Sequence, residues 1–457
     1  MAGIGFELRR LLRHDNYTGL LQAYAYAGLI SAGPWIISIL GVLFLGIISL
    51  GHVSPDIFVS QFQTSLTYLI SSSLIFTGIF QLSFTRYVAD RLFARETARI
   101  LPNLNGLLML VMGLGGALAI GAAHWFFAGQ GLAYQLLMIG SFSVLCGIWT
   151  VAVMLTGLKR YAAIVGIFLF GYGVTFVAGV LLRPFALVGL LSAFFLGQFL
   201  LFMAMLTLIY REYPSARFAA FDFLRGSRCY PSLVVSGFLY NAAIWADKYI
   251  FWFEPATSEP IIGPLRGSVI YDLPIFLAYL SILPGMAVFL MRMETDFVEY
   301  YDRFYAAVRE GGTLSHIRTL RNKMVASARS GIFDIIKVQS LAALLAFVLG
   351  GPTLKLLHIS PLYGPLFNVD VVGASLQVVL LGVLNVFFYL DKRYRAVLVT
   401  AAFFILNILL TLLSIRLGVF YYGYGLVLSL LLSVVLGLIL LDRDMDQLEY
   451  QTFMLQK

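Results

Sequence analysis

Residues 230–253 read YPSLVVSGFLYNAAIWADKYIFWF, and the interpretation of the whole sequence starts from this stretch. As a helix it is long enough to cross a bilayer, yet it contains Asn241, Asp247 and Lys248. Such groups cost free energy at membrane depth and usually face a cavity, a partner helix or a transport pathway. The stretch therefore predicts a membrane span with a functional polar face. The alternative is that the two charges snorkel to the outer interface.

Two pairs of opposite charges in predicted spans differ in their spacing. Asp247 and Lys248 are adjacent, so on a regular helix their side chains point about 100° apart. We therefore predict that they do not pair along one face and that each has another partner, a local helix break or water. Asp334 and Lys337 are three residues apart, which predicts that they pair with each other or snorkel.

The composition predicts a polytopic helical membrane protein. The 457 residues are 60% hydrophobic and only 12% charged, whereas about 25% of residues are charged in soluble proteins. Cys146 and Cys229 are far apart in the sequence and suggest neither a disulfide framework nor a metal cluster. The first residues lack the apolar core and cleavage site of a signal peptide, so the first apolar segment is expected to stay in the membrane.

Twelve apolar segments are long enough to span a membrane. They cover about 18–49, 59–83, 102–127, 131–157, 162–182, 186–210, 230–253, 268–290, 331–351, 370–390, 396–415 and 420–441. With an inner N-terminus, 25 of the 31 Lys and Arg residues fall on the cytoplasmic side, four on the outer side and two in spans. The positive-inside rule therefore predicts that both termini are cytoplasmic.

A weak internal repeat suggests two fused halves. The segment LKRYA at 158–162 matches DKRYRA at 391–396, and the first predicted span can be aligned with the seventh. The fold class predicted is therefore all-α, with two pseudo-symmetric six-helix lobes. The predicted boundaries are an interfacial amphipathic helix at 1–16, an N-lobe at 17–213, a linker at 214–229, a C-lobe at 230–441 and a cytoplasmic tail at 442–457.

The first and seventh spans are predicted to line a central cavity between the lobes, together with the second and eighth. A break at Gly33-Pro34 would free backbone groups that only protein or a water-filled space can satisfy. Nearby aromatic residues have flat faces that suit sugar rings, although the aromatic belt and ordinary packing explain any one of them better. The candidate cavity residues are Tyr26, Gly33, Pro34, Trp35, Tyr240, Asn241, Trp245, Asp247, Lys248 and Asp272.

Two inner segments have the pattern of surface helices. Residues 1–16 combine one apolar side with arginines, which suits anionic lipid. The loop at about 291–330 predicts two amphipathic helices, which either lie on the membrane or dock a cytoplasmic partner. The candidate docking residues are Phe297, Tyr301, Phe304, Val308, Arg318 and Arg321.

The sequence contains no pattern that predicts an enzyme. It has no phosphate-binding glycine-rich loop with a lysine and no His or Cys ligand spacing, so we predict no catalytic residue, metal or cofactor. Transport would then draw on an ion gradient, the membrane potential or the pushing force of polymer synthesis.

Three stretches resemble the inner-membrane Pel exopolysaccharide transporter family (PelG), which belongs to the multidrug/oligosaccharidyl-lipid/polysaccharide (MOP) flippase superfamily. They are MAGIGFELRRLL at 1–12, LISAGPWIIS at 29–38 and YNAAIWADKYIFW at 240–252. The resemblance implies a bacterial inner-membrane protein that exports a nascent N-acetylgalactosamine-rich polysaccharide, and hence biofilm matrix. It also implies a cytoplasmic glycosyltransferase partner and two further membrane proteins, one of them a cyclic-dinucleotide receptor. Nucleic acid is not an expected partner.

Three functions remain open at this point. The first is export of a growing polymer through the cavity, coupled to the glycosyltransferase. The second is an ion-gradient-driven flippase or antiporter for lipid-linked sugar or small cations, in which Asp247, Lys248 and Asp272 would bind the ion. The third is a scaffold that anchors the synthase complex and conducts nothing.

Overall fold

The computed structural model describes residues 57–155, 161–225, 229–357 and 359–454, together with positions 24, 27–28, 37–38, 40–41, 45–46 and 55. These parts of the chain are almost entirely helical. The helices are α1 (Ile57–Phe93), α2 (Ile100–Phe126), α3 (Leu132–Leu155), α4 (Tyr161–Leu181), α5 (Ala186–Glu212), α6 (Pro231–Phe253), α7 (Val269–Tyr279), α8 (Leu283–Met291), α9 (Val298–Arg309), α10 (Leu314–Leu356), α11 (Gly364–Tyr389), α12 (Arg393–Leu417), α13 (Tyr424–Asp446) and α14 (Leu448–Met454).

Ten helical segments within the described ranges are long and apolar enough to cross a membrane. Helix α6, the seventh predicted span, is not among them, because Asn241, Asp247 and Lys248 lower its hydropathy. Most of the first predicted span lies outside the described residues, as does the predicted helix at 1–16. Twelve spans and two cytoplasmic termini therefore remain predictions.

The chain divides into two compact units. Residues 34–269 form the first unit, and residues 1–33 with 270–457 form the second unit. In the first unit, α1 packs against α3 and α6, and α5 packs against α3 and α4. In the second unit, α13 packs against α11 and α12, and α10 packs against α8 and α11. Helix α6 thus belongs by its packing to the first unit, while the predicted lobe boundaries remain a prediction.

The eighth predicted span is a helix interrupted by one irregular turn. A 3-10 turn at Leu280–Ile282 separates α7 from α8, and Pro284 in the next turn has no amide proton to donate. Gln339 of α10 satisfies the backbone there, since it accepts from Gly285 N at 3.1 Å and donates to Ser281 O at 3.0 Å. Pro284 thus lies in the first turn of α8, directly after the irregular turn, whereas Pro274 lies inside α7 without ending it.

A small β-hairpin is an exception to the all-α prediction. Strands β1 (Glu259–Ile262) and β2 (Leu265–Gly267) pair in antiparallel fashion between α6 and α7. The turn between them contains Gly263 in the left-handed region, at φ 53°, followed by Pro264. Gln61 and Tyr68 of α1 donate hydrogen bonds to the Ile261 and Arg266 carbonyls, which holds the hairpin against the start of α1.

Candidate functional site

Helices α1 and α6 cross at two glycines inside the first unit. A Cβ atom added to Gly237 would lie 2.2 Å from the Gly78 carbonyl oxygen, and one on Gly78 would lie 2.8 Å from the Gly237 oxygen. Neither distance leaves room for a side chain. The Asn241 side chain donates to the Gly237 carbonyl at 2.9 Å and lies over Gly78. Close backbone contact at this crossing holds the polar face of α6 against α1.

Asp247 and Lys248 lie further along α6 and pair with each other. Their exposed fractions are 0% and 1%, and Lys248 Nζ is 3.1 Å from Asp247 Oδ2. The same ammonium group donates to the Ile244 carbonyl at 2.9 Å and lies 5.7 Å from the centre of the Trp245 ring. The prediction that the two residues do not pair was wrong. The flexible lysine stem folds back along the helix, so the charged ends meet although the Cβ atoms point apart.

Aromatic side chains pack around this end of α6. The Trp252 ring centre lies 4.6 Å from that of Tyr68 on α1, 4.9 Å from Tyr249 and 6.3 Å from Trp245. The Tyr249 and Phe253 rings are stacked at 6.4 Å. Trp252 is fully buried, whereas Tyr249 is half-buried and Phe253 is exposed. The cluster therefore extends from the buried ion pair to the surface of the first unit.

Three consecutive serines of α1 form a row, in which Ser71 and Ser72 contact the cluster and Ser73 contacts α3. The Tyr249 hydroxyl lies 2.9 Å from Ser71 Oγ and 2.8 Å from Ser72 Oγ. The Trp149 indole of α3 donates to Ser73 Oγ at 3.0 Å. Serine hydroxyls can donate and accept at the same time, so this row could exchange its internal hydrogen bonds for bonds to a hydroxylated ligand.

The chemistry of this site is that of polar binding. Asp247 and Lys248 neutralise each other, and the remaining groups are hydroxyls, an amide and aromatic rings. Flat apolar faces beside hydrogen-bonding groups match the two sides of a sugar ring. Within the described residues, no group of three or more His, Cys, Asp or Glu side chains could hold a metal ion.

A family model described as "PelG: Putative exopolysaccharide Exporter (EPS-E)" matches residues 1–453. The chain belongs to this family. The match spans both units, and the resemblance seen in three short stretches is thereby confirmed over nearly the whole sequence. The chain is thus a membrane transporter, not an enzyme. No curated protein matches the sequence.

Solved structures similar to this chain include transporters of the MOP superfamily. An outward-facing multidrug resistance MATE family transporter has a TM-score of 0.65 at 12% identity, over 93% of this chain and 96% of that chain. A MOP superfamily transporter from Pyrococcus furiosus Vc1 has a TM-score of 0.62 at 14% identity, over 93% and 96%. A MATE structure in a bent conformation has a TM-score of 0.63 at 13% identity, over 97% and 98%. At these identities the likeness shows the fold alone.

The predicted cavity residues are divided between the two units and the part of the chain outside the described residues. Asn241, Trp245, Asp247 and Lys248 lie on the α6 surface that packs within the first unit, and Tyr240 is half-buried on the same helix. Asp272 belongs to the second unit, in the first turn of α7. The remaining predicted residues, Tyr26, Gly33, Pro34 and Trp35, lie outside the described residues.

The aromatic residues predicted to dock a partner pack inside the second unit. Phe297 and Phe304 are fully buried, and Tyr301 packs on Tyr389 of α11 with ring centres 5.6 Å apart. Val308 is half-buried. In this conformation these side chains fill the core between α9 and its neighbours, so a partner could reach only the outer face of α9.

The two predicted docking arginines contact the C-terminal helices. Arg321 donates to the Met445 and Asp446 carbonyls at the end of α13, at 2.9 and 3.1 Å. Arg318 lies 3.4 Å from the Glu449 carboxylate of α14. A cation at a helix C-terminus satisfies free carbonyls and the helix dipole, so Arg321 caps α13. Residues 442–454, predicted to be a tail, are thus held in the second unit.

Several residues of the α1–α6 site were missed by the sequence analysis, namely Tyr68, Ser71, Ser72, Gly78 and Gly237. A run of three serines at residues 71–73 inside an apolar span is a visible signal of a polar face. Small residues in a span also indicate close helix packing. Neither signal identifies α6 as the partner of α1.

Proposed function

We propose that this chain exports a nascent N-acetylgalactosamine-rich exopolysaccharide across the bacterial inner membrane, coupled to a cytoplasmic glycosyltransferase. We also propose that the α1–α6 site carries the contact with the sugar chain. The main support is the combination of a neutralised buried ion pair with aromatic rings and a serine row. Family membership supports the cargo class, since the family is that of an exopolysaccharide exporter.

In this proposal the residues of the site have different roles. Tyr249 is half-buried, so its ring and hydroxyl are the groups that meet a sugar first. Ser71 and Ser72 supply exchangeable hydrogen bonds. Asp247 and Lys248 are fully buried, and they become available to sugar hydroxyls only when α1 and α6 separate. A protein that alternates between conformations can bind cargo in one state and close the site in another.

Substitutions of the ion pair test this role, and three variants are needed. Asp247→Asn and Lys248→Gln each leave one buried charge without its partner, whereas the double variant leaves none. Removing one member of a buried pair is strongly destabilising, but removing both can be neutral. The double variant should therefore insert and fold like the wild type while secreting only a small fraction of the wild-type amount of polymer.

Secreted polymer is measured with an N-acetylgalactosamine-specific lectin, and folding is measured by size-exclusion chromatography of the solubilised protein. Lys337→Gln is the matched control, because Lys337 is 61% exposed in another helix. Full secretion by the folded double variant would remove the cargo role of the pair. Loss of secretion by the control would show that the assay does not isolate the site.

Coupling to the glycosyltransferase is tested in the same strains by co-purification. The Asp247 and Lys248 variants should secrete less polymer but still co-purify with the glycosyltransferase. If polymer is lost only when the partner no longer co-purifies, the chain acts as a scaffold for synthesis. If purified protein in vesicles moves lipid-linked sugar in response to an ion gradient, the flippase alternative is correct.

A further inference from the structure

The chain between α5 and α6 packs against the start of α2 within the first unit. In this segment, residues 213–225, the Ala220 amide donates to the Pro102 carbonyl at 2.8 Å. The Ala220 carbonyl oxygen would lie 2.1 Å from a Cβ atom on Gly106. A side chain at Gly106 would therefore push the segment away, and glycine allows the close backbone approach.

Two buried asparagines of α2 fix the same segment by hydrogen bonds. Asn105 donates to the Phe218 carbonyl at 2.7 Å, and its own carbonyl accepts from the Tyr210 hydroxyl at 2.8 Å. Asn103 accepts from the Asp222 amide at 2.7 Å. Asn105 is 5% exposed and Asn103 is 0% exposed. Buried amides that bind backbone groups on both sides of Ala220 hold the segment in one conformation.

The segment nevertheless exposes large apolar side chains. Phe218, Phe221 and Leu224 are spaced by three residues and are 72%, 46% and 48% exposed. Phe223 between them points inward and packs on Phe84 of α1, with ring centres 5.6 Å apart. Since the backbone is fixed, the three exposed side chains cannot turn inward to bury themselves. These three side chains are therefore exposed to the environment beside the start of α2 and the end of α5.

Arginines accompany these side chains. Residues 211–225 contain three arginines and two carboxylates. Arg211, Arg217 and Arg225 are exposed, and Arg225 lies 3.4 Å from Asp222. The segment follows the end of one membrane-spanning helix and contacts the start of another, which places it at a membrane boundary. Aromatic and leucine side chains beside arginines are the composition of segments that lie in the headgroup region.

We propose that residues 211–225 form a binding surface for anionic phospholipid headgroups. Arg217 and Arg225 bind the headgroup phosphate, and Phe218, Phe221 and Leu224 enter the adjoining acyl boundary. The positive charge excess selects anionic over zwitterionic lipid, and the rigid seat on α2 removes most of the ordering cost of binding.

Native mass spectrometry of the full chain in detergent tests the proposal. The protein is titrated with phosphatidylglycerol and, separately, with phosphatidylcholine of the same acyl chains. The Arg217→Gln/Arg225→Gln variant should bind its first phosphatidylglycerol up to about thirtyfold more weakly, because each basic side chain near an anionic surface contributes about a factor of five. Binding of phosphatidylcholine should weaken much less, because its choline group offsets the charge of the same phosphate. The Phe218→Ser/Phe221→Ser variant should weaken binding of both lipids.

The matched control is Arg303→Gln/Arg309→Gln, which removes two exposed arginines from α9 in the second unit. This control should leave the first phosphatidylglycerol step unchanged. An equal loss in the control would mean that overall charge, not the segment, governs lipid binding. An unchanged affinity for phosphatidylglycerol in the arginine variant of the segment would overturn the proposal. The proposal would also fail if that variant kept its lipid affinity but no longer co-purified with a protein partner, because the segment would then be a protein-docking surface.

Discussion

Two Asp–Lys ion pairs in the molecule differ in how far they are exposed to solvent. Asp247 and Lys248 in the first unit are 0% and 1% exposed, whereas Asp334 and Lys337 in the second unit are 21% and 61% exposed. Asp334 also lies 3.0 Å from Arg292 Nε, so it keeps a cation if either partner is removed. Both side chains of the Asp247–Lys248 pair are enclosed by protein. The difference shows that burial, not the number of charges, determines what each pair contributes.

The largest expected effect is on the buried pair. Asp247→Asn should destabilise the fold by about 3–5 kcal/mol, because Lys248 keeps its charge in a site without solvent. Thermal unfolding of the solubilised protein measures the change, with the Asp247→Asn/Lys248→Gln variant as the control. If the single and double variants have the same melting temperature, the pair is not shielded from solvent, and it does not differ from the Asp334 pair in its contribution to stability.

A second, smaller effect concerns the crossing that holds α6 in place. Gly237→Ala puts a Cβ atom where the Gly78 carbonyl lies, and overpacking of this kind costs about 1–3 kcal/mol. Gly113→Ala is the matched control, because nothing lies within 4 Å of its added Cβ atom. The melting temperature should fall in the first variant and stay the same or rise in the second. An unchanged melting temperature in Gly237→Ala would mean that the close contact between α1 and α6 is not needed to keep the Asp247–Lys248 pair buried.

The smallest effect is expected at the exposed pair. Asp334→Asn should change the free energy of unfolding by less than about 1 kcal/mol, since surface ion pairs contribute little and are screened by salt. The difference between wild type and variant should shrink further in high salt. A loss as large as that of Asp247→Asn would show that Asp334 is as enclosed as the buried pair.

The helices and the exposed pair were accessible from the sequence because both depend on local spacing. Apolar length predicted all ten segments that, within the described residues, form helices long and apolar enough to cross a membrane. Asp334 and Lys337 were predicted to pair or snorkel from their separation of three residues, and they lie 3.6 Å apart. The β-hairpin was missed, since its short strands gain their stability from contacts with α1 that are distant in sequence.

The sequence by itself determined the class of protein, the family and the unusual polarity of α6, because composition, segment length and family motifs are properties of the chain read in order. Only the tertiary structure decided what that polarity does. Which helix lies against α6, that Gly78 meets Gly237, and that Tyr249 reaches Ser71 and Ser72 depend on contacts between distant residues. The pairing of Asp247 with Lys248 depends on a lysine rotamer, which is selected by the packing around it and not by the spacing of the two residues.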